Sequence, residues 1–204
     1  MKYHIITFGC QMNESDSGRI AADLEKRGYK PAMVSVADLI VVNMCSVRQS
    51  AVDRIFGISQ KLAELKAKKP KLKTILTGCI LKTDRRKFRN KFDEIWEGEG
   101  DKSSSSPINL PAKRQNKSLA FIPISNGCNN SCSYCVVPST RGPLVCRDHK
   151  EILKEVKSLD RKGLKEIWLL GQNVNDYQSP TDTSINFPKL LGRVSDIPGN
   201  FKIR

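Results

Sequence analysis

Three short runs of apolar, mostly β-branched residues in the first part of the chain each end at a cysteine. They read HIITFGC, LIVVNMC and TILTGC and end at Cys10, Cys45 and Cys79. Short apolar runs that stop at turn residues predict buried strands, each followed here by a turn that carries a thiol.

Helical spacing separates these predicted strands. From about Ser15 to Arg27, apolar residues lie four apart and Gly28 is a suitable C-terminal cap. From 47 to 69, apolar residues recur every three or four positions until Pro70. Alternating strands and helices predict a parallel sheet with right-handed crossovers. Because the carboxyl ends of parallel strands lie along one edge, we expect the three cysteines to converge there.

A polar stretch rich in Ser, Pro and Gly, from 98 to 117, has no apolar period and predicts a linker. A second alternation follows, with predicted strands over 118–125 and 165–173, a helix from Asp148 to Gly163, and a possible third strand from Phe201. We therefore predict an N-terminal α/β domain over 1–100, a linker over 101–117 and a second domain over 118–204.

The charge of the chain is strongly positive, with 35 Lys and Arg against 21 Asp and Glu, a net charge of +14. Such an excess favours a polyanionic partner, with solubility alone as the alternative. Six basic residues fall between Lys82 and Lys91, which could also form a solvated helix face. No apolar run is long enough for a membrane span and the N-terminus lacks a signal-peptide pattern, so we expect a cytoplasmic protein without a membrane partner.

Seven cysteines in a chain of this kind favour metal or redox chemistry over disulfides. The most specific pattern is C-x3-C-x2-C at Cys128, Cys132 and Cys135. Three thiolates in one loop can hold three irons of a 4Fe–4S cluster and leave the fourth iron open. Zinc, which usually takes four ligands, and a redox pair at Cys132 and Cys135 are the alternatives. Cys146 lies outside both groups of three and is expected to be a packing residue.

The C-x3-C-x-aromatic-C pattern after a predicted strand resembles the radical-SAM superfamily. The resemblance implies that the open iron binds S-adenosylmethionine (SAM) and that Tyr134 lies near its adenine. Gly171, Gln172 and Asn173 fall at the carboxyl end of the next predicted strand, where they could bind the methionyl end of SAM or only cap the following loop.

A closer resemblance covers essentially the whole chain. The segments, in order, are TFGCQMNESDS, VVNMCSVRQSA, TGC, NGCNNSCSYCVVPSTRG and LLGQNVNDY. They resemble successive signatures of the MiaB-type tRNA methylthiotransferases, a radical-SAM family.

This resemblance implies two 4Fe–4S clusters, an auxiliary one on Cys10, Cys45 and Cys79 and a SAM-binding, catalytic one on Cys128, Cys132 and Cys135. The implied reaction places a methylthio group on carbon 2 of isopentenyl-adenosine beside the anticodon of tRNA. One SAM would supply the radical and another the methyl group. The implied partners are tRNA and a one-electron donor such as flavodoxin or ferredoxin, with the enzyme a monomer.

The chain supplies fewer strand–helix units than a complete radical-SAM barrel, and it lacks the small C-terminal β-barrel of the family. The expected fold is therefore α/β, an N-terminal parallel-sheet domain followed by the first βα units of a partial TIM-type barrel, apparently truncated. We expect this polypeptide alone to be inactive in forming the methylthio group on tRNA. Alternatives are a methylthiotransferase acting on threonylcarbamoyl-adenosine or a ribosomal protein, and a non-enzymatic, zinc-stabilised RNA-binding module.

Overall fold

The computed structural model describes residues 1–96, 118–160 and 163–204. The chain divides into two compact units, 1–106 and 107–204. The linker predicted over 101–117 lies outside the described residues.

The first unit is built on a five-stranded, fully parallel sheet in the order β2-β1-β3-β4-β5. The three long strands are those predicted from the apolar runs, and the two short edge strands were not predicted. The strands are β1 (Lys2–Thr7), β2 (Lys30–Pro31), β3 (Leu39–Cys45), β4 (Lys73–Cys79) and β5 (Glu94–Ile95).

Helices cover both faces of this sheet: α1 (Gln11–Lys26), α2 (Gln49–Lys68) and α3 (Lys82–Phe88). Residues of α1 pack in one core cluster with Val41 and Ile75, whereas α2 and Phe88 pack in another with Ile40 and Leu76. All seven residues of β3 are buried. Burial on both faces explains why this strand is almost continuously apolar.

The predicted start of α1 near Ser15 was wrong. The helix begins at Gln11, directly after Cys10, which is its N-cap residue. Asn13 explains the earlier start, since its side chain accepts a hydrogen bond from the Cys10 N–H (3.2 Å) and satisfies a donor that would otherwise be free at the helix end.

The second unit holds a three-stranded parallel sheet in the order β10-β9-β6 and a small antiparallel pair, β7 with β8. The described strands do not close into a barrel, so the predicted α/β class with an incomplete barrel is confirmed. The strands are β6 (Leu119–Pro123), β7 (Ser125–Asn126), β8 (Val145–Cys146), β9 (Glu166–Leu170) and β10 (Lys202–Ile203). The helices are α4 (Val137–Arg141), α5 (His149–Asp160) and α6 (Phe187–Ser195).

Helix α6 was not predicted, because Pro188 and Gly192 interrupt its short apolar period. Asn186 caps it by accepting a hydrogen bond from the Lys189 N–H (3.3 Å). Leu190 and Val194 complete the core of the unit with residues of α5. Within the described ranges, no helix combines the length and the apolar character that crossing a bilayer requires.

Truncation of Leu190 tests this core contact. Leu190 is fully buried, so Leu190→Ala should lower the free energy of unfolding by about 2–5 kcal/mol, measured by urea denaturation. The adjacent Leu191 is exposed, and Leu191→Ala should change stability by less than about 0.5 kcal/mol. Equal effects would show that α6 does not pack as described.

Candidate iron–sulfur sites

The first group of cysteines lies at the carboxyl edge of the parallel sheet. Cys45 and Cys79 are the last residues of β3 and β4 and pair directly in the register of the two strands. Neighbouring strands are about 4.8 Å apart, so these two residues are as close as a sheet allows. Cys10 follows β1, which pairs with the other side of β3 up to Thr7 opposite Asn43. The structure therefore brings the three predicted ligands to one edge.

Hydrogen bonds tie the turns that follow these strands to one another. The Ser46 N–H donates to the Cys79 carbonyl (2.8 Å), and the Leu81 N–H donates to Ser46 Oγ (3.2 Å). An Arg48 guanidinium nitrogen lies 3.5 Å from the Gly9 carbonyl oxygen. Cys45 and Cys79 are buried and Cys10 is partly exposed. These bonds hold the turns together at an edge where two of the thiols are buried and one is partly exposed.

The cysteines are the candidate metal donors of both groups. None of the seven cysteines is in a disulfide. Among the described residues, no three His, Cys, Asp or Glu side chains surround a point where a single metal ion would bind. A 4Fe–4S cluster does not require such a point, because each thiolate binds a different iron of the cube.

Two buried asparagines beside these thiols were missed by the sequence analysis. Asn13 Oδ1 lies 3.4 Å from Cys10 Sγ, and Asn13 Nδ2 donates to Asn43 Oδ1 (2.9 Å). The available signal was Asn43 itself, a polar residue inside the apolar run of β3, and a buried polar residue requires a partner.

The second group of cysteines occupies one loop between β7 and α4. The Cys128 N–H donates to the Gly142 carbonyl (3.2 Å), which anchors the start of the loop. Asn129 Oδ1 accepts from the Leu144 N–H (2.9 Å). Cys132 is exposed, whereas Cys128 and Cys135 are partly buried. The loop is therefore held at its base and open at its tip.

Backbone hydrogen bonds also order the tip of this loop. The Cys135 N–H donates to the Cys132 carbonyl (3.0 Å), and the Val137 N–H points at Cys135 Sγ (3.5 Å). A hydrogen bond from a backbone N–H to sulfur is the kind of outer contact that orients a cysteine ligand. The Tyr134 side chain is 87% exposed, so its ring is free to stack on a ligand.

The loop and the segment after β9 meet through one carboxylate. Asp176 Oδ2 accepts from Asn130 Nδ2 (3.3 Å) and from Asn173 Nδ2 (2.8 Å). Gly171 lies against β7, since a Cβ there would stand 2.7 Å from Ser125 Oγ. The structure thus places the predicted SAM-contacting segment beside the cysteine loop.

Two buried oxygens at this edge have no hydrogen-bond partner among the described residues, Ser125 Oγ and Gln172 Oε1. Buried polar atoms without partners are rare in folded proteins and often mark ligand sites. An amino or hydroxyl group of a bound cofactor would satisfy both oxygens, so these residues fit SAM.

Cys146 stands apart from both groups. It lies in β8, opposite Ser125, and packs against the core of the second unit. Burial raises the pKa of its thiol. A neutral, partly buried thiol is a poor ligand, so its contacts are those of a packing residue.

Gly127 supplies a test of the loop geometry. Its φ is 75°, and an added Cβ would stand 2.0 Å from the Pro143 carbonyl oxygen. Gly127→Ala should therefore displace the loop and lower iron uptake at the second site, measured by iron analysis after anaerobic reconstitution. Gly142 has a similar φ of 74° but open space around it, so Gly142→Ala is the matched control and should retain more iron. Equal losses would mean that backbone strain alone, not the contact with Pro143, governs the loop.

Among the solved structures that resemble this chain are two of the radical S-adenosylmethionine methyltransferase TsrM from Kitasatospora setae, one with tryptophan and a SAM analogue bound and one with cobalamin and a [4Fe-4S] cluster bound. The first has a TM-score of 0.59 at 14% identity and covers 85% of this chain and 48% of TsrM; the second has a TM-score of 0.54 at 12% identity. At such identities the likeness shows the fold alone.

Two sequence families divide the chain between them. Residues 2–97 match the uncharacterized protein family UPF0004, and residues 122–203 match the radical SAM superfamily. The second match supports an iron–sulfur cluster and SAM.

Curated relatives match both parts at once. The tRNA-2-methylthio-N(6)-dimethylallyladenosine synthase of Thermoanaerobacter sp. (strain X514) is 38% identical over 99% of this chain and 49% of its own length. The protein of that name from Syntrophomonas wolfei is 39% identical over 100% of this chain and 52% of its own length. The chain spans about half the length of these relatives. With both families present in the same order and with this identity along its whole length, the chain belongs to the MiaB-type radical-SAM methylthiotransferases.

Proposed function

We propose that the chain belongs to a tRNA methylthiotransferase that modifies carbon 2 of isopentenyl-adenosine beside the anticodon. The observation that carries the proposal is the placement of two groups of three cysteines, each at the carboxyl side of strands in a parallel sheet. Ligands bind at that side in both open α/β sheets and βα barrels. The names of the relatives support the nucleoside.

The two groups of cysteines take different roles in this proposal. Cys128, Cys132 and Cys135 would hold three irons of a SAM-binding 4Fe–4S cluster, and Cys10, Cys45 and Cys79 would hold an auxiliary one that serves in sulfur insertion. When bound, the SAM-binding cluster would supply, together with SAM, the radical that removes the hydrogen at carbon 2. A second SAM supplies the methyl group, and a donor such as flavodoxin or ferredoxin supplies the electron.

In this proposal the chain's own residues would orient the cofactor. Gln172 Oε1 and Ser125 Oγ are unpartnered acceptors for its polar groups, and Gly171 lets its strand end pack closely against Ser125, because a Cβ there would stand 2.7 Å from Ser125 Oγ. Asn173, fixed by Asp176, holds the segment in place. Tyr134 offers an exposed ring for stacking on adenine.

The distribution of charge supports an RNA partner. Residues 61–91 contain twelve Lys and Arg and two acidic residues, a net charge of +10 out of +14 for the chain. Residues 61–91 run through the second half of α2, β4 and α3. Helices α2 and α3 pack together, with the ring centroids of Phe56 and Phe88 4.6 Å apart. A basic layer of this kind, residues 61–91, attracts a phosphate backbone.

This basic layer leads to the first group of cysteines. Lys82 begins α3 three residues after Cys79. Lys82, Arg86 and Arg89 follow at helical spacing, are exposed, and form no ion pair within the described part of the chain. An RNA strand lying on α3 would therefore approach the carboxyl edge of the sheet.

We further propose that the protein is monomeric and works in the cytoplasm, where its substrate is.

Replacement of one cysteine in each group tests the proposal. Anaerobically reconstituted protein should be brown and contain about eight irons, and Cys128→Ala and Cys45→Ala should each lose about four. Cys128→Ala should abolish reductive cleavage of SAM to 5′-deoxyadenosine, whereas Cys45→Ala should retain it, as followed by chromatography. Colourless wild-type protein with stoichiometric zinc would instead support the zinc-stabilised RNA-binding alternative.

The basic surface of α3 gives a separate prediction. Lys82→Gln, Arg86→Gln and Arg89→Gln combined should lower the slope of log K against log salt by about 2 for a tRNA anticodon stem-loop, since each phosphate contact on a single strand contributes about 0.7. The control combines Lys150→Gln, Lys154→Gln and Lys157→Gln, three exposed lysines at the same spacing on α5. Fluorescence anisotropy at several salt concentrations measures both. Equal slopes in the two triple variants would show that α3 is not part of the RNA-binding surface.

A further inference from the structure

Asn13 and Asn43 are completely buried, and each is 0% exposed. Asn13 lies in the first turn of α1 and Asn43 lies in the middle of β3. They form a reciprocal pair, since Asn13 Nδ2 donates to Asn43 Oδ1 (2.9 Å) and Asn43 Nδ2 donates to the Asn13 carbonyl (2.9 Å). The helix and the central strand are therefore joined by two directional bonds.

The remaining bonds of the pair reach β3 and α1 and, through Ser17, the end of β1. Asn13 Nδ2 also approaches the Met44 carbonyl (3.2 Å), and Asn43 Nδ2 donates to Ser17 Oγ (2.9 Å). Ser17 Oγ in turn contacts Thr7 Oγ1 at the end of β1 (2.7 Å). Both side-chain amides are thus fully hydrogen-bonded, which removes the cost of burying them.

All three cysteine-bearing turns touch this pair. Asn13 Oδ1 accepts from the Cys10 N–H, and Met44, whose carbonyl it approaches through Nδ2, directly precedes Cys45. Gly78 precedes Cys79, and a Cβ there would stand 2.5 Å from Asn43 Oδ1. The pair therefore contacts Cys10 itself and the residues that precede Cys45 and Cys79, so it joins all three turns of the first site.

An apolar pair of similar volume could fill this space, but apolar contacts are not directional. Hydrogen bonds fix the separation and the angle of the groups they join, and buried polar networks are a known means of specifying one arrangement. What the amides add is therefore a defined spacing of the three turns.

We propose that the Asn13–Asn43 pair is a positioning element that holds Cys10, Cys45 and Cys79 at the spacing one cluster needs. The inference rests on the proposed function in one respect, that these thiols bind a 4Fe–4S cluster. Neither asparagine is assigned as a ligand. Asn13 acts through its contacts with the Cys10 N–H and Sγ and with the Met44 carbonyl, and Asn43 acts through its contact with Gly78.

A spectroscopic consequence separates this role from general stability. The Cys10 N–H is committed to Asn13 Oδ1, so it is not available to a cluster sulfur. Asn13→Ala frees this N–H, and hydrogen bonds to the sulfurs are one of the factors that set the reduction potential of a cluster. The potential of the first cluster should therefore become more positive in this variant.

The experiment uses the full chain with Cys128, Cys132 and Cys135 replaced by serine, so that iron reports on the first site only. After anaerobic reconstitution, Asn13→Ala should bind at least twofold less iron than its parent, and the cluster that remains should show a more positive potential by EPR-monitored redox titration. Val41→Ala is the control, because Val41 is fully buried two residues from Asn43 on the same strand. It should lower the melting temperature and leave both the iron content and the potential unchanged.

A second variant keeps the amide and displaces it. A Cβ at Gly9 would stand 2.3 Å from Asn13 Oδ1, and this glycine has no positive φ, so Gly9→Ala strains the side-chain contact and not the backbone. Gly9→Ala should lower iron content as Asn13→Ala does, and it should add no further loss when combined with Asn13→Ala.

The possible failures are distinct. A parent protein that takes up no iron would contradict the proposed function of the first site. A parent that loads normally, with the Asn13 and Gly9 variants matching Val41→Ala in iron and potential, would overturn the positioning role alone. Additive losses in the double variant would also overturn it, because they would show that the two residues do not act through one contact.

Discussion

The parallel pairing of β3 with β1 and β4 is the constraint on which the first site depends. In a parallel sheet every strand ends at the same edge, so residues more than thirty positions apart in sequence become neighbours. The register sets Cys45 opposite Cys79, and a slip of one residue would turn one of the two side chains to the other face of the sheet. The apolar layers on both faces hold that register. The packing of the core therefore also determines the positions of the thiols.

In the second unit the cysteines also lie at the carboxyl side of a parallel sheet, but strand register does not set their spacing. Its three cysteines come from one loop, so their spacing follows from local turns anchored at Gly142 and Leu144 rather than from strand register. What the parallel sheet contributes is the segment after β9, which Asp176 joins to the loop. A cofactor bound there would contact residues from two strand ends, as is usual at the carboxyl face of βα folds.

The three long strands of the first unit, their parallel pairing and the position of the cysteines at one edge could all be predicted. Short apolar runs that end at a cysteine and alternate with helical patterns can be recognised from the local sequence. Asn13 and Asn43 could not be paired from sequence, since nothing local shows that a polar residue on α1 meets one on β3. The start of α1 was missed because cysteine is not a usual N-cap residue and the helix depends on Asn13. The short strands β2 and β5 and the helix α6 depend on tertiary contacts that outweigh weak local preferences.

Mössbauer spectroscopy of the ⁵⁷Fe-reconstituted chain, with sulfide and zinc analysis of the same sample, shows in one experiment whether both groups of thiols hold iron–sulfur clusters. We expect nearly all iron to be present as 4Fe–4S clusters, with about eight irons and eight sulfides per chain and no stoichiometric zinc. Iron confined to one cluster, or mononuclear metal without acid-labile sulfide, would show that the two groups do not both hold clusters.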